Sequence, residues 1–128
     1  MPYGYHGRIL RVNLTTSKIT TETLPDNFYR RYLGGAGFVA YFLLKEVPPG
    51  TDPLGPDNRL IFAAGPLTGA PLAGAGRNAI GARSPLTGGM GEAEVGGFWG
   101  AELKAAGLDA IIVEGRAPAP TYLWVHDG

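Results

Sequence analysis

The sequence predicts an α+β fold, with two related small β-hairpin/helix/strand units forming one domain. Three observations carry this reading. Period-two strand patterns alternate with helical patterns, and the order of the first half is repeated in the second. "LGGAGFVAY" at 33–41 resembles "VGGFWGAEL" at 95–103, and "PLTG" occurs at both 66–69 and 85–88. The chain has 128 residues, of which 45% are apolar, enough for one domain with a real core.

Element by element, "GRILRVNLTTSKITTETLP" reads as a hairpin. Ile9, Arg11 and Asn13 alternate with Leu10, Val12 and Leu14, although Ile9 blurs the pattern. "TTSK" is the turn, and "KITTET" returns with β-branched residues. Pro25-Asp26 opens a helix, since proline near the first position and an acid in the first turn suit its exposed amides. Gly34, Gly35 and Gly37 interrupt it, and "FVAYFLLKEV" resumes it until "PPG" stops it. "DPLGPDN" is a loop, "RLIFAAG" a strand, and "PLTGAPLAGAG" turn or loop. In the second half "RNAIGAR" is a strand, "SPLTGGMGEAE" a loop and "VGGFWGAELKAAG" a helix closed by Gly107. "LDAIIVEG" is a strand and "TYLWVHDG" a last alternating strand. A strand ending on Asp127-Gly128 looks like a cut through a longer polypeptide.

Formal net charge is zero and only 17% of residues are charged, so nothing supports a nucleic-acid or anionic-membrane binder. The sparse charge fits a chain that hides surface against something else. Without cysteine there is no disulfide, thiolate zinc site or cysteine-held iron–sulfur cluster within the chain. His6 and His126 stand at opposite ends, which excludes a histidine-rich metal cluster. No signal-peptide run and no membrane-length apolar stretch is present, so the expected location is cytoplasmic.

Twenty-one glycines are costly, because glycine loses the most entropy on ordering. Turns, close packing or a ligand against the main chain must offset that cost. Around the first helix, close helix–sheet packing and a binding role stand about equal. In the second unit Gly96 and Gly97 free the amides at the expected first turn, with Gly100 one turn on, a place that favours an anion. The Rossmann and P-loop fingerprints are absent.

Arg77 stands across the glycine-rich loop, where a guanidinium can fork onto a phosphate. Its bland alternative is a surface ion pair with Glu92 or Glu94. Asn78 alternates to the other face of the strand, so it and Arg77 do not serve one ligand together. The nearby acids oppose a phosphate unless a divalent cation intervenes. Arg83 is assigned to fixing a loop, Phe98 and Trp99 to core or interface, and His6 to the surface. No residue reads as a catalyst. The residues alone describe a cradle for a phosphate-bearing ligand, with the chemistry supplied by a cofactor or by residues outside the chain.

Five segments in register, "GRILRVNL", "YLGGAGFVAYFLLKEV", "DPLGPDNRLIFAAGPLTG", "GRNAIGARSPLTG" and "VGGFWGAELKAAGLDAIIVEGRAPAPTYLWV", resemble the N-terminal region of the aldehyde ferredoxin oxidoreductase family. The resemblance implies a metallopterin-binding N-terminal domain over residues 1–128, part of a longer oxidoreductase. The family cofactor is a tungsten, occasionally molybdenum, bis-pterin with magnesium bridging its phosphates. A [4Fe-4S] cluster would come only through the absent downstream region. By motif, Arg77 resembles the arginine that reaches the pterin, and Gly96 and Gly97 the glycines that admit its backbone approach. Glu94 stands where the family often has asparagine, whose main-chain carbonyl helps hold the magnesium. The implied reaction converts a small aldehyde and water to carboxylate, with electrons to ferredoxin. The implied partner is the remainder of the polypeptide or a complementary subunit, without which this chain is inactive. The alternative is an assembly module that keeps the fold without the cofactor.

Overall fold

A computed structural model describes residues 3–126. The first unit consists of β1 (Ile9–Asn13), β2 (Lys18–Glu22), α1 (Asp26–Tyr32), α2 (Ala36–Glu46) and β3 (Arg59–Ala64). The second consists of β4 (Asn78–Arg83), β5 (Met90–Val95), α3 (Trp99–Ala105) and β6 (Ala110–Glu114). One six-stranded sheet runs β2-β1-β6-β3-β4-β5, so each unit's closing strand is inserted beside the other unit's hairpin. The order is palindromic, but the directions are not. β6 runs parallel to β1, whereas β3 runs antiparallel to β4.

The sequence expectation of hairpin, helix and strand in each half holds, with three corrections. "MGEAEV" forms β5, paired to β4 from Asn78↔Val95 to Arg83↔Met90, rather than loop. Its glycine and glutamates are poor strand formers, and cross-strand pairing overrides that propensity. The second helix starts at Trp99 rather than among the glycines, because Gly96 and Gly97 turn the chain from β5 into it. No strand forms over Thr121–His126, and Asp127 and Gly128 lie outside the described residues.

Burial on both sides explains why Ile9 breaks the alternation. It lies fully buried beneath α1 and α2, with Phe28, Tyr29, Phe38, Val39 and Phe42. Helix α2 places Phe38, Val39, Phe42 and Leu43 on one face by the three-and-four spacing of an amphipathic helix. Rings of α1 and α2 meet edge-on or tilted, as Phe28 does with Phe38 at 4.9 Å. The opposite face is covered less completely. Leu103 of α3 packs with Val12, Ala64, Leu108 and Ile111, while Leu60 stays 41% exposed. As the sequence predicts, Gly107 (φ +77°) closes α3, its N–H donating to the Lys104 carbonyl at 2.9 Å.

Two polar clusters tie the elements together. At one end of the sheet, Arg11 donates to Glu22 at 2.7 Å and to Glu46 at 2.6 Å, and Arg59 pairs with Glu114 at 3.3 Å. At the other, the 1%-exposed Asp109 accepts the Gly7 N–H at 2.7 Å, the His6 N–H at 3.0 Å and Lys104 Nζ at 2.7 Å. A carboxylate so buried depends on those donors. No helix among the described residues is long and apolar enough to cross a membrane.

Candidate functional site

Strand register gathers the glycine-rich connections at one end of the sheet. Ala64 pairs with Asn78 and Asn78 with Val95, which brings the end of β3, the start of β4 and the end of β5 together. Residues 65–77 and 96–98 extend from that end. The α1–α2 junction adjoins it, since the Gly35 N–H donates to the Ala64 carbonyl at 3.1 Å. Together they leave a cleft of about 400 Å³, lined by Leu33 to Gly37, Pro66, Arg77 and Glu94 among others.

Arg77 is fixed at its main chain. Thr68, 93% buried by its 7% exposure, accepts the Gly65 N–H and donates its hydroxyl to the Arg77 carbonyl, both at 2.8 Å. The Arg77 side chain is exposed by comparison. Its Nη1 lies 3.4 Å from Glu94 Oε2, with the two side chains 68% and 56% exposed. This is the surface pair weighed from sequence, and such pairs contribute about 0–1 kcal/mol. An incoming anion therefore competes with a weak partner.

Gly96 and Gly97 lie just beyond β5, and neither belongs to the wall of the cleft that holds Arg77 and Glu94. A Cβ built on either meets nothing within 4 Å. Gly97 has φ +102°, a conformation side-chained residues rarely adopt. Gly100 behaves differently, as its Cβ would stand 2.9 Å from Thr68 Cγ2 and 3.0 Å from Asn78 Oδ1. It allows α3 to lie against β4 and exposes no backbone to a ligand. Asn78 faces α3, away from Arg77, as strand alternation predicts. Its side-chain oxygen and nitrogen are buried with no hydrogen-bond partner among the described residues.

His6 is exposed, and its backbone, not its ring, binds Asp109. Trp99 tilts against Phe62 at 5.3 Å, but Phe98 is 85% exposed and is no core residue. Glu92 is exposed and makes no ion pair with Arg77. Arg83 is joined to the 51–58 loop through its main chain, which exchanges hydrogen bonds with the Asn58 side chain at 3.1 Å each way.

Sequence reasoning missed Thr68 and the Asp109–Lys104 pair. The doubled "PLTG" was a signal for Thr68, but the second copy forms the β4–β5 turn, so repetition alone did not reveal a latch. Lys104 is only five positions from Asp109, but no spacing signal joins Asp109 to the His6 and Gly7 amides about a hundred positions away. Among the described residues no three histidine, cysteine or acidic side chains cluster as metal ligands. β5 is an edge strand, so alternate carbonyls along it face away from β4, and a main-chain cation contact needs no such cluster.

Residues 9–128 match the family model described as aldehyde ferredoxin oxidoreductase, N-terminal domain. The chain belongs to that family. It is 54% identical over 125 residues to a tungsten-containing aldehyde ferredoxin oxidoreductase of Pyrococcus abyssi, covering 98% of this chain and 21% of the relative. It is 37% identical over 128 residues to the aliphatic sulfonate oxidoreductase, WOR-like subunit, of Pyrococcus furiosus, with 98% and 20% covered. In structure it resembles a chain of the active site complex BamBC of benzoyl coenzyme A reductase in complex with 1,5-dienoyl-CoA. That match has a TM-score of 0.95 at 41% identity, covering 99% of this chain and 19% of the other. The chain thus spans about a fifth of the length of these relatives.

Proposed function

We propose that this chain is the tungstopterin-binding N-terminal portion of an aldehyde:ferredoxin oxidoreductase-like enzyme. The observation that carries the reading is the open backbone at Gly96 and Gly97, at the same end of the sheet as an arginine held only by an exposed pair. Side chains at those glycines would fill the space, and their absence fits a bulky anionic guest. Arg77 would fork onto a pterin phosphate, exchanging Glu94 for a stronger charge-assisted partner. The Glu94 main-chain carbonyl would help hold a magnesium ion, whose charge would offset the repulsion between a pterin phosphate and the Glu94 carboxylate. When bound, the tungsten–pterin group supplies the two-electron oxidation of a small aldehyde to carboxylate. This chain's residues bind and orient that group. A [4Fe-4S] relay to ferredoxin, and the residues that move protons, belong to the remainder of the polypeptide or a complementary subunit.

A second reading, an assembly module that keeps the fold without cofactor, is favoured by the Arg77–Glu94 pair, in which the guanidinium already has an acidic neighbour. One experiment decides between them. In the full-length polypeptide, Arg77→Ala should lower tungsten and pterin content about tenfold at unchanged thermal midpoint. Wild-type-like metal and pterin content in that variant removes Arg77 from the cradle. A full-length wild type that carries neither tungsten nor pterin would establish the module reading.

A further inference from the structure

A second cleft lies on the helical face, at the opposite end of β4 from Arg77. The six residues of that strand separate the two ends by about 20 Å at the usual rise. Leu43, Leu44, Val47 and Pro49 form one wall of this groove, Met90 and the Gly88-Gly89 turn the other, around a volume of about 400 Å³. Leu44 is 88% exposed and Met90 52%, so the walls are apolar and open.

Arg83 lines the same groove and is the unusual group in it. The Asn58 side chain locks its main chain in place. Its Nε is buried and has no hydrogen-bond partner, and no ion pair among the described residues includes its guanidinium. The contrast with the other arginines at this end of the sheet lies in the ion pairs: Arg59 Nε also lacks a hydrogen bond, but Arg11 and Arg59 share Glu22, Glu46 and Glu114, whereas Arg83 has no acid among the described residues. A half-buried guanidinium without an acidic partner is costly, and the acceptor that best suits its remaining N–H groups is a carboxylate.

We propose that this groove is a docking site for an apolar segment carrying an aspartate or glutamate, contributed by the polypeptide that continues in the full-length relatives. Charge complementarity selects the acid, and the apolar walls select its neighbours. The source follows from length, since about four-fifths of the Pyrococcus abyssi relative has no counterpart here. The proposal rests on the family reading but not on cofactor binding, because the groove and Arg77 occupy opposite ends of the strand.

The test uses the full-length holoenzyme with a photo-cross-linking residue at Leu86, which is 93% exposed on the turn bordering the groove. The expected product is an intramolecular cross-link to a downstream peptide containing an acid flanked by apolar residues. Arg83→Glu should cut its yield about tenfold, and replacing the captured acid by arginine in that background should restore it. Should Arg83→Glu fail to fold, Arg83→Met keeps the volume and should still lower the yield several-fold. Capture of a second copy or another protein, no cross-link, or a yield indifferent to Arg83 would overturn the proposal. Tungsten and pterin content of the same samples separates the two readings, since loss of either with the cross-link intact counts against the cofactor site alone.

Discussion

Gly34-Gly35 and Gly96-Gly97 occupy corresponding places in the two units, each following a branched apolar residue and preceding a helix. Their surroundings differ. A Cβ at Gly34 would collide with the Ala64 carbonyl oxygen and stand 3.1 Å from Gly65 Cα, and the Gly35 amide is spent on Ala64. At Gly96 and Gly97 the same atom would meet only open space. The first pair is consumed in seating two helices on the sheet, and the second is left available. One motif therefore carries two physical meanings, and only the neighbour across the chain distinguishes them.

The comparison can be broken by substitution, with stability read as the thermal midpoint. Gly34→Ala should have the largest effect, about 3 kcal/mol or more, because it adds a backbone collision to a φ of +108°. A midpoint within a degree or two of wild type would show that the junction relaxes freely. Gly100→Val should follow at about 1–3 kcal/mol, since α3 must move off Thr68 and Asn78. Tolerance there would mean that α3 is not seated by contact. Gly97→Ala should cost about 1 kcal/mol from its backbone angle alone, as nothing obstructs the methyl group.

Gly96→Val should be smallest in stability, within about 0.5 kcal/mol, yet should lower pterin content of the full-length protein more than Glu94→Lys does. Equal loading of those two variants would place the guest elsewhere. The ion-pair network at the far end offers a pH control. Burial raises the Glu46 carboxyl, but hydrogen bonding and charge from Arg11, then charge from Arg59, hold it below its usual range. A depressed folded value contributes stability above the unfolded carboxylate range, lost as pH falls through the folded value. Glu46→Gln should therefore flatten the acid limb of a midpoint-against-pH curve, and an unchanged slope would remove the network from acid stability.

Much of the fold was legible because its signals are local. Proline and glycine punctuation located α1, the break before α2 and the close of α3, and apolar runs located β3, β4 and β6. β5 was not legible. Its residues favour no strand by themselves, and only the hydrogen bonds of β4 make one. The segment Thr121–Val125 alternates like a strand, but no ladder forms over it among the described residues.

For the site, the sequence by itself determined which residues are chemically suited to an anion: a fork-bearing Arg77 and the bare glycines 96 and 97. Tertiary structure decided which of them meet. It put Arg77 beside Glu94 against the α1–α2 junction, set the open glycines outside that cleft, turned Gly100 and Gly34 into packing positions, and left Arg83 without an acid. Local composition sets what a residue can do through propensity and charge. Proximity between distant segments depends on strand register and helix seating, which arise only when the whole sheet closes.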